Sequence, residues 1–497
     1  MTKDQALSLL AGKIEAGRAL DMASALMYWD AVTLGVPEQS LSARGAAAGW
    51  LEGESFRRFI APDTLEAVET LEALSDGLSE RERAMVREMG RAYRKAKAVP
   101  PEEMQQFGAL VAQAEPVWEK ARETDDFALI QPYYEKIFDF KRRLCYWYGY
   151  QKHPYDALLD DYEKGADVEM LDGFFALLRE RISPLVKMIG ASGQKPREIA
   201  GTFPLDKQRE LTPWLCAFVG YDTARGKVGE VQHPFCLTAS RHDVRITTKY
   251  HAGDLLSSLY SVIHECGHAL YEQNMDEELE GYGLAECASM GVHESQSRLY
   301  ENMIGRSRPF AGILLPKLRE LFGGFADWDE DALYRAVNIA RPSLIRIEAD
   351  ELTYCLHIIV RYELEKDILT GAAQVKDLPG LWADKYEELL GLRPPSAAKG
   401  VLQDVHWSGG MVGYFPSYAV GNAYGAQLMH AMRKTVDVDG AAGRGDLSPV
   451  NAWLRENVHR HGAMNEPEEL LRRATGEAFN PSYYADYLSE KFTALYR

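Results

Sequence analysis

Apolar residues recur every three or four positions along much of the chain, which is the pattern of amphipathic helices. The spacing predicts helices over residues 63–74, 79–97 and 102–115. Gly77 separates the first two segments and Pro100-Pro101 precedes the third, as residues that interrupt helices do. β-branched runs are few between these segments. The pattern therefore predicts a mainly helical protein.

One segment, residues 227–250, has a different period. Val244, Ile246 and Thr248 alternate with polar residues, as in a strand. With a turn at residues 239–242, this strand would form a hairpin with residues 232–238. An edge strand at this place could pair with an extended peptide substrate. The alternative is a hairpin that only caps the helix following it.

That next helix is predicted over residues 255–274. Beside its apolar stripe lies His264-Glu265-Cys266-Gly267-His268, a match to H-E-x-x-H. Because residues four apart lie on one side of a helix, His264 and His268 can bind one Zn²⁺. Glu265 would lie beside the metal, where the general base for zinc-activated water is needed.

The third metal ligand is left open by the residues alone. The metzincin pattern requires Gly and His where this chain has Tyr271 and Asn274, so that class is excluded. A site with two His and one carboxylate needs a Glu from a second element. Glu286 and Glu294 both fall on a helix predicted over residues 282–304. Geometry read from the sequence favours neither strongly.

Composition narrows the possible partners. The 497 residues carry 56 basic and 74 acidic side chains, for a net charge of −18. No Lys/Arg-rich arm offsets this charge, which argues against nucleic acid. Charges interrupt the apolar residues of the first segment, and no window of about 18 apolar residues suggests a membrane span. Six cysteines without a C-x-x-C pair are expected to be reduced thiols of a cytoplasmic protein.

Two polar clusters lie downstream in apolar surroundings. Residues 341–350 are predicted to open a helix that continues through residue 365. A Gly- and Tyr-rich stretch, residues 408–427, includes Tyr414 and Tyr418. Tyrosine hydroxyls can donate to a developing oxyanion, although a core tyrosine with a satisfied hydroxyl is the commoner case.

Six short stretches together resemble the carboxypeptidase Taq family of metallocarboxypeptidases. In chain order they are His233-Pro234-Phe235, Asp243-x-Arg245-x-Thr247, His264–His268, His293-Glu294-Ser295, Ile345-Arg346-x-x-Ala349-Asp350, and Gly400-x-x-Gln403-Asp404-x-His406-Trp407. Weaker similarity covers residues 155–160 and 29–33. After Thr33 the family usually has Met-Pro-x-Gly, whereas this chain has Leu34-Gly35-Val36-Pro37. The departure concerns the rim of the groove and leaves the catalytic motifs intact.

The resemblance implies a fold and an activity. We expect a large, saddle-like, mainly helical body with a deep groove and a small β-hairpin or sheet beside the metal helix. Residues 1–497 would form a single peptidase domain, in which residues 1–200 form the groove wall or lid and residues 201–497 carry the metal. The expected activity is release of single residues from peptide C-termini by a cytoplasmic homodimer.

The resemblance also implies roles for individual residues. Glu294 would be the third ligand of one Zn²⁺ per chain, which Co²⁺ could replace. Tyr418, Tyr414 or His406 would stabilise the oxyanion. A cation must hold the substrate's terminal carboxylate, and Arg346 is preferred over Arg245 and Arg341 because it lies in a matched motif. His233 and Gln403 lie in motifs of the same kind and are expected to contact the peptide.

Two other functions compete with this expectation. An oligopeptidase with the same metal motif would cut peptides internally and would ignore amidation of the C-terminus. A metal-bearing peptide-binding protein without turnover would lack a catalytic group, yet Glu265 and candidates for all three ligands are present.

Overall fold

The chain is described by a computed structural model that covers residues 1–497. It is mainly helical, as predicted, with one small sheet. The elements in chain order are α1 Lys3–Trp29, α2 Leu41–Phe59, α3 Pro62–Glu72, α4 Glu80–Ala98, α5 Pro101–Thr124, α6 Phe127–Tyr148, α7 Asp156–Leu159, α8 Val168–Ala191, α9 Leu205–Val219, β1 Val228–Glu230, β2 Cys236–Ser240, β3 Asp243–Thr248, α10 Leu255–Asn274, α11 Met290–Arg298, α12 Arg308–Leu321, α13 Glu330–Ala336, α14 Tyr354–Thr370, α15 Leu378–Leu390, α16 Pro416–Met432, α17 Val438–Arg444, α18 Ser448–Asn457, α19 Pro467–Thr475 and α20 Ser482–Tyr496.

The sheet has the strand order β1-β3-β2. β2 and β3 form the predicted antiparallel hairpin, with Leu237 opposite Arg245. The short strand β1 was not predicted; it pairs with β3 in parallel, with Val228 opposite Ile246. β3 is therefore the central strand of the sheet, and both of its edges are paired. Within the hairpin, the unpaired edge is the outer edge of β2.

Two predicted helices are corrected by the structure. The segment 282–304 is helical only from Met290, because the residues before it form a loop after a 3₁₀ turn. Residues 341–350 do not open a helix. The Asp350 carboxylate there accepts hydrogen bonds from the backbone N–H groups of Arg341, Leu352 and Thr353, which holds the segment in an irregular conformation until α14 begins at Tyr354.

The hydrophobic core is divided unequally. One large cluster of buried side chains extends from Val99 to Tyr496 and surrounds α10. A much smaller cluster joins α1, α3 and α4, and its members are Ala6, Leu10, Ala67, Val68, Leu71, Leu78, Met85 and Val86. The helix α2 contributes no buried side chain. The helices α1, α3 and α4 thus share a small core of their own. Ala84 of α4 also packs with Leu279, Leu284 and Ala463. None of the helices has the length and apolar character needed to cross a bilayer.

Candidate metal and peptide-binding site

The helix α10 has the bounds that the sequence predicts. Asp254 caps it by accepting a hydrogen bond from the Ser257 backbone N–H at 3.1 Å. Its apolar stripe is buried, and His268 is buried with it. The two histidines therefore lie on a rigid helix anchored in the core.

The helix α11 brings Glu294 to the same place. Ser289 caps α11 through the Val292 N–H, and the buried Glu163 carboxylate accepts from the Gly291 N–H at 2.8 Å. Glycine is needed where the helices meet. A Cβ on Gly267 would lie 2.7 Å from the Ser297 Cα, and one on Gly421 would lie 2.7 Å from the Glu294 Cβ. The small residues allow α10, α11 and α16 to approach closely.

Three potential ligands lie close together: His264, His268 and Glu294. We call these three residues the metal group. The Glu294 Oε2 lies 3.7 Å from the His264 Nε2 and 3.5 Å from the His268 Nε2. Ligand atoms about 2.0–2.1 Å from a tetrahedral zinc ion are themselves separated by roughly 3.3 Å. One ion therefore fits among these atoms with small adjustments. This is the only His/Cys/Asp/Glu group in the chain with such convergent geometry.

Hydrogen bonds from neighbouring residues orient these three side chains. The His264 Nδ1 lies 2.9 Å from Glu301, and the His268 Nδ1 lies 3.1 Å from the carbonyl of His293. With each Nδ1 bonded to an oxygen, the proton resides there and each Nε2 is free to bind a metal. Arg298 donates to Glu294 at 2.7 Å and to Glu301 at 3.1 Å. This leaves the Glu294 Oε2 facing the histidines.

The charges favour metal binding. Burial opposes ionisation of Glu294, but Arg298 and His264 outweigh it and hold the pKa of Glu294 well below its usual range. Burial, with His293, lowers the pKa of His268 to about 3, so its imidazole is neutral. Burial also disfavours a charged His264, but the carboxylates of Glu294 and Glu301 raise its pKa above the ordinary value. Protons therefore compete with a metal mainly at His264.

Glu265 lies beside this group and is buried. Burial raises the pKa of its carboxyl to about 7, against a smaller lowering by His264. A carboxylate whose pKa lies near neutrality can both accept and return a proton at physiological pH. The structure thus gives Glu265 the acid–base property that hydrolysis requires.

Three candidate oxyanion donors lie together. The Tyr418 hydroxyl is 3.5 Å from the His406 Nε2, and the Tyr414 and Tyr418 rings are 5.1 Å apart. Burial raises the pKa of Tyr414 to about 12 and the pKa of Tyr418 well above its usual value, so both hydroxyls keep their protons. Burial lowers the pKa of His406 to about 3. All three groups are neutral at pH 7.

Arg346 is buried and paired inside the protein. It donates to Asp404 at 2.9 Å and to the Tyr354 hydroxyl at 3.1 Å. Arg361, which is fully buried, donates to the same Asp404 at 3.0 Å. We call Arg346, Arg361, Asp404 and Tyr354 the Arg346 cluster. Gln403 accepts from the Arg346 N–H at 2.8 Å and uses its amide to donate to neighbouring oxygens. Gln403 thus positions the backbone of Arg346, and its direct contact with the peptide stays a prediction.

The other cations and His233 lie apart from this cluster. Arg245 forms two hydrogen bonds with Asp243, at 2.6 and 2.7 Å, and covers the Trp29 ring. Arg341 pairs with Glu198 at the surface. His233 is exposed, but the following Phe235 is fixed through its backbone by Thr247. The two matched motifs are therefore joined to each other at the hairpin.

Three important residues were missed in the sequence. Arg298 and Glu301 lie four and seven positions after Glu294, so helical spacing alone would have placed them on its face. Tyr354 was also missed; its ring covers Arg298 at 4.6 Å and its hydroxyl accepts from Arg346. Tyr354 joins the metal group to the Arg346 cluster. Glu286 is not part of the metal group and lines a neighbouring cavity.

The family model described as "Carboxypeptidase Taq (M32) metallopeptidase" matches residues 10–492. The protein named carboxypeptidase 1 from Bacillus subtilis is 44% identical over 478 residues, which is 95% of each chain.

Solved structures agree with the sequence matches. A carboxypeptidase structure from Pyrococcus furiosus is 34% identical, superposes with a TM-score of 0.95, and covers 98% of this chain and 99% of the other. The structure of an M32 carboxypeptidase from Deinococcus radiodurans is 36% identical, with a TM-score of 0.94 and 99% of each chain covered.

Proposed function

The chain belongs to the carboxypeptidase Taq family of metallopeptidases, and from this premise we propose how its residues carry out the reaction. The resemblance found in the sequence is confirmed, and the chain is a carboxypeptidase. We propose that it releases single C-terminal residues with one zinc ion, held by His264, His268 and Glu294. The convergence of their three ligand atoms carries this proposal.

A zinc ion held by His264, His268 and Glu294 would supply a Lewis acid for the scissile carbonyl and for water. Glu265 takes the proton of the attacking water and passes it to the departing amine. Burial raises the pKa of Glu265 to about 7 in the metal-free site, which favours its acceptance of a proton. Arg298 and Glu301 hold Glu294 and His264 in place while the charge at the site changes.

The tyrosines supply the next part of the mechanism. We assign Tyr418 as the donor to the oxyanion, because its hydroxyl is protonated at pH 7 and its ring contacts both Tyr354 and Arg346. Tyr414 and His406 pack against Tyr418 and serve as a second donor and as its orienting partner.

Arg346 is the proposed anchor for the substrate's terminal carboxylate. Arg346 and Arg361 share the single carboxylate of Asp404. A substrate carboxylate would therefore improve the charge balance of the cluster. Tyr354 connects this anchor to Arg298, and hence to the metal ligand Glu294. Arg245 and Arg341 are weaker choices because each has its own acidic partner.

The decisive experiment is mass spectrometry of one peptide incubated with zinc-loaded enzyme, in free-acid and C-terminally amidated forms. Sequential loss of C-terminal residues from the free acid, with the amide cut much more slowly, is expected. Equal internal cutting of both forms would identify an oligopeptidase. Loss of activity on chelation and its return with Zn²⁺ or Co²⁺ would establish the metal requirement, and metal analysis of the isolated protein would identify the ion.

We further propose that the enzyme is a cytoplasmic homodimer with a single peptidase domain. The family resemblance supports the dimer, and the absence of paired cysteine motifs supports a reducing compartment. In this arrangement residues 1–200 provide one wall of the groove. Sedimentation at equilibrium tests the dimer, since a monomer mass would contradict it.

A further inference from the structure

A cavity of about 590 Å³ lies next to the metal group, between α1 and β2. Its floor includes Glu272 and His293, which are 3.1 Å apart. The His293 ring stacks on the metal ligand His268 with 4.1 Å between centroids. The cavity is thus separated from the metal position by a single imidazole.

The cavity and the proposed carboxylate anchor lie toward opposite ends of the metal group. The anchor connects to the His264 end of α10 through Arg298 and Tyr354. The cavity adjoins Glu272, which lies eight residues, or roughly 12 Å, further along the helix than His264. A peptide whose C-terminal carboxylate binds at Arg346 must extend past the metal in the other direction. Its residues upstream of the scissile bond therefore point toward the cavity.

The cavity wall also offers an unpaired backbone edge. Cys236, Thr238 and Ser240 of β2 line it, and β2 pairs with β3 only on its other side. An extended segment can form backbone hydrogen bonds with such an edge whatever its sequence. This feature indicates a peptide as the occupant.

Negative side chains outnumber positive ones in the cavity. Its two arginines already have acidic partners, since Arg18 pairs with Glu280 at 2.5 Å and Arg241 lies 3.8 Å from Glu277. Three further carboxylates line the cavity without a basic partner: Glu15, Asp21 and Glu286. Asp21 on α1 and Glu286 on the loop before α11 come from opposite walls of the cavity, so like charges repel each other across it. A cation between them would relieve this repulsion.

We propose that this cavity binds the substrate upstream of the scissile bond and selects a positive charge there. The charge can be the α-ammonium group of a short peptide or the side chain of Lys or Arg in a longer one. Asp21 and Glu286 are the specificity-determining residues. The inference rests on the proposed direction of the peptide and on carboxypeptidase activity.

The test is a set of peptides with one common C-terminal residue and with Lys, norleucine or Glu at each of the two preceding positions. Each is made with a free and with an acetylated N-terminus, which separates the two sources of charge. We expect kcat/KM to be roughly five- to tenfold higher with Lys than with norleucine, and lowest with Glu. The preference should shrink as salt is raised, because the carboxylates are open to solvent.

The double variant Asp21→Asn/Glu286→Gln should bring the Lys-to-norleucine ratio close to one. The matched control is Glu119→Gln/Glu123→Gln on α5, which removes the same charge from exposed residues far along the chain and should keep the wild-type ratio. Equal ratios in the wild type and the Asp21/Glu286 variant would overturn the inference. If none of the peptides loses its C-terminal residue, the proposed activity is overturned instead.

Discussion

The metal group and the Arg346 cluster are both buried and charged, yet their polar atoms are used differently. In the metal group, Glu301, Arg298 and a backbone carbonyl bond the far sides of the ligands, and the near sides converge on one point. In the Arg346 cluster, the charged groups bond one another, with Asp404 between two arginines. The first arrangement needs an outside partner to be complete. The Arg346 cluster is held together by its own ion pairs, and a substrate carboxylate would add one negative charge to it.

The largest effect expected from this difference is at Glu265. Glu265→Gln removes the base and keeps the shape of the site, so kcat should fall by several powers of ten. Metal content should stay near the wild-type level, because Glu265 is not one of the three candidate ligands. Steady-state kinetics with metal analysis of the same sample gives both values. A variant that retains near-normal kcat would show that another group is the base.

The next effect tests the convergence of the ligands. Glu294→Gln should weaken metal binding by more than about 100-fold, since even orienting residues account for roughly 10–100-fold. Glu286→Gln, in the neighbouring cavity, should leave metal affinity nearly unchanged. Competition with a chromogenic chelator measures both. The reverse ranking would make Glu286 the ligand and would contradict the assignment.

Arg346 tests whether the closed cluster can receive a substrate. Arg346→Ala should raise the transition-state free energy for cleavage of free-acid peptides by about 2–5 kcal/mol. The slow cleavage of amidated peptides should stay about unchanged. Arg346→Lys should recover only part of the loss, because an ammonium cannot reproduce the forked geometry.

A purely internal role for Arg346 gives a different result. Both peptide forms would then slow equally, and the melting temperature would fall because Asp404 loses a partner. Arg361→Met serves as the matched comparison, since Arg361 shares Asp404 but is fully enclosed. It should lower stability without changing the ratio of free-acid to amide cleavage.

The smallest effect is the pH dependence of metal affinity. Because the folded protein raises the pKa of His264 above 6.5, acidification should weaken metal binding at a higher pH than an ordinary histidine would. One competing proton gives at most about a tenfold loss per pH unit. The same raised pKa contributes stability to the metal-free fold below pH 6.5, which is lost as the pH rises through the folded value. Chelator competition between pH 6 and 9 checks the first expectation.

The sequence was most informative where the chemistry is local. The metal helix could be predicted because an i,i+4 pair, an apolar stripe and a capping Asp254 all lie within 21 consecutive residues. The start of α11 could not, because Ser289 and the distant Glu163 together decide where that helix begins. The pairing of Arg346 with Asp404 joins residues 58 positions apart, and no helical or strand period connects them.

The small core of α1, α3 and α4 affects which part of the protein unfolds locally. A cooperative unit held by eight buried side chains opens at lower free energy than one held by the large core. The backbone amides of α1 to α4 should therefore exchange with deuterium by a partial opening that leaves α10 protected. Because α1 forms one wall of the cavity beside the metal, such an opening would widen the entrance for a peptide while the ligands stay fixed. Access to the site would then depend on the small core, and the placement of the candidate ligands on the large core.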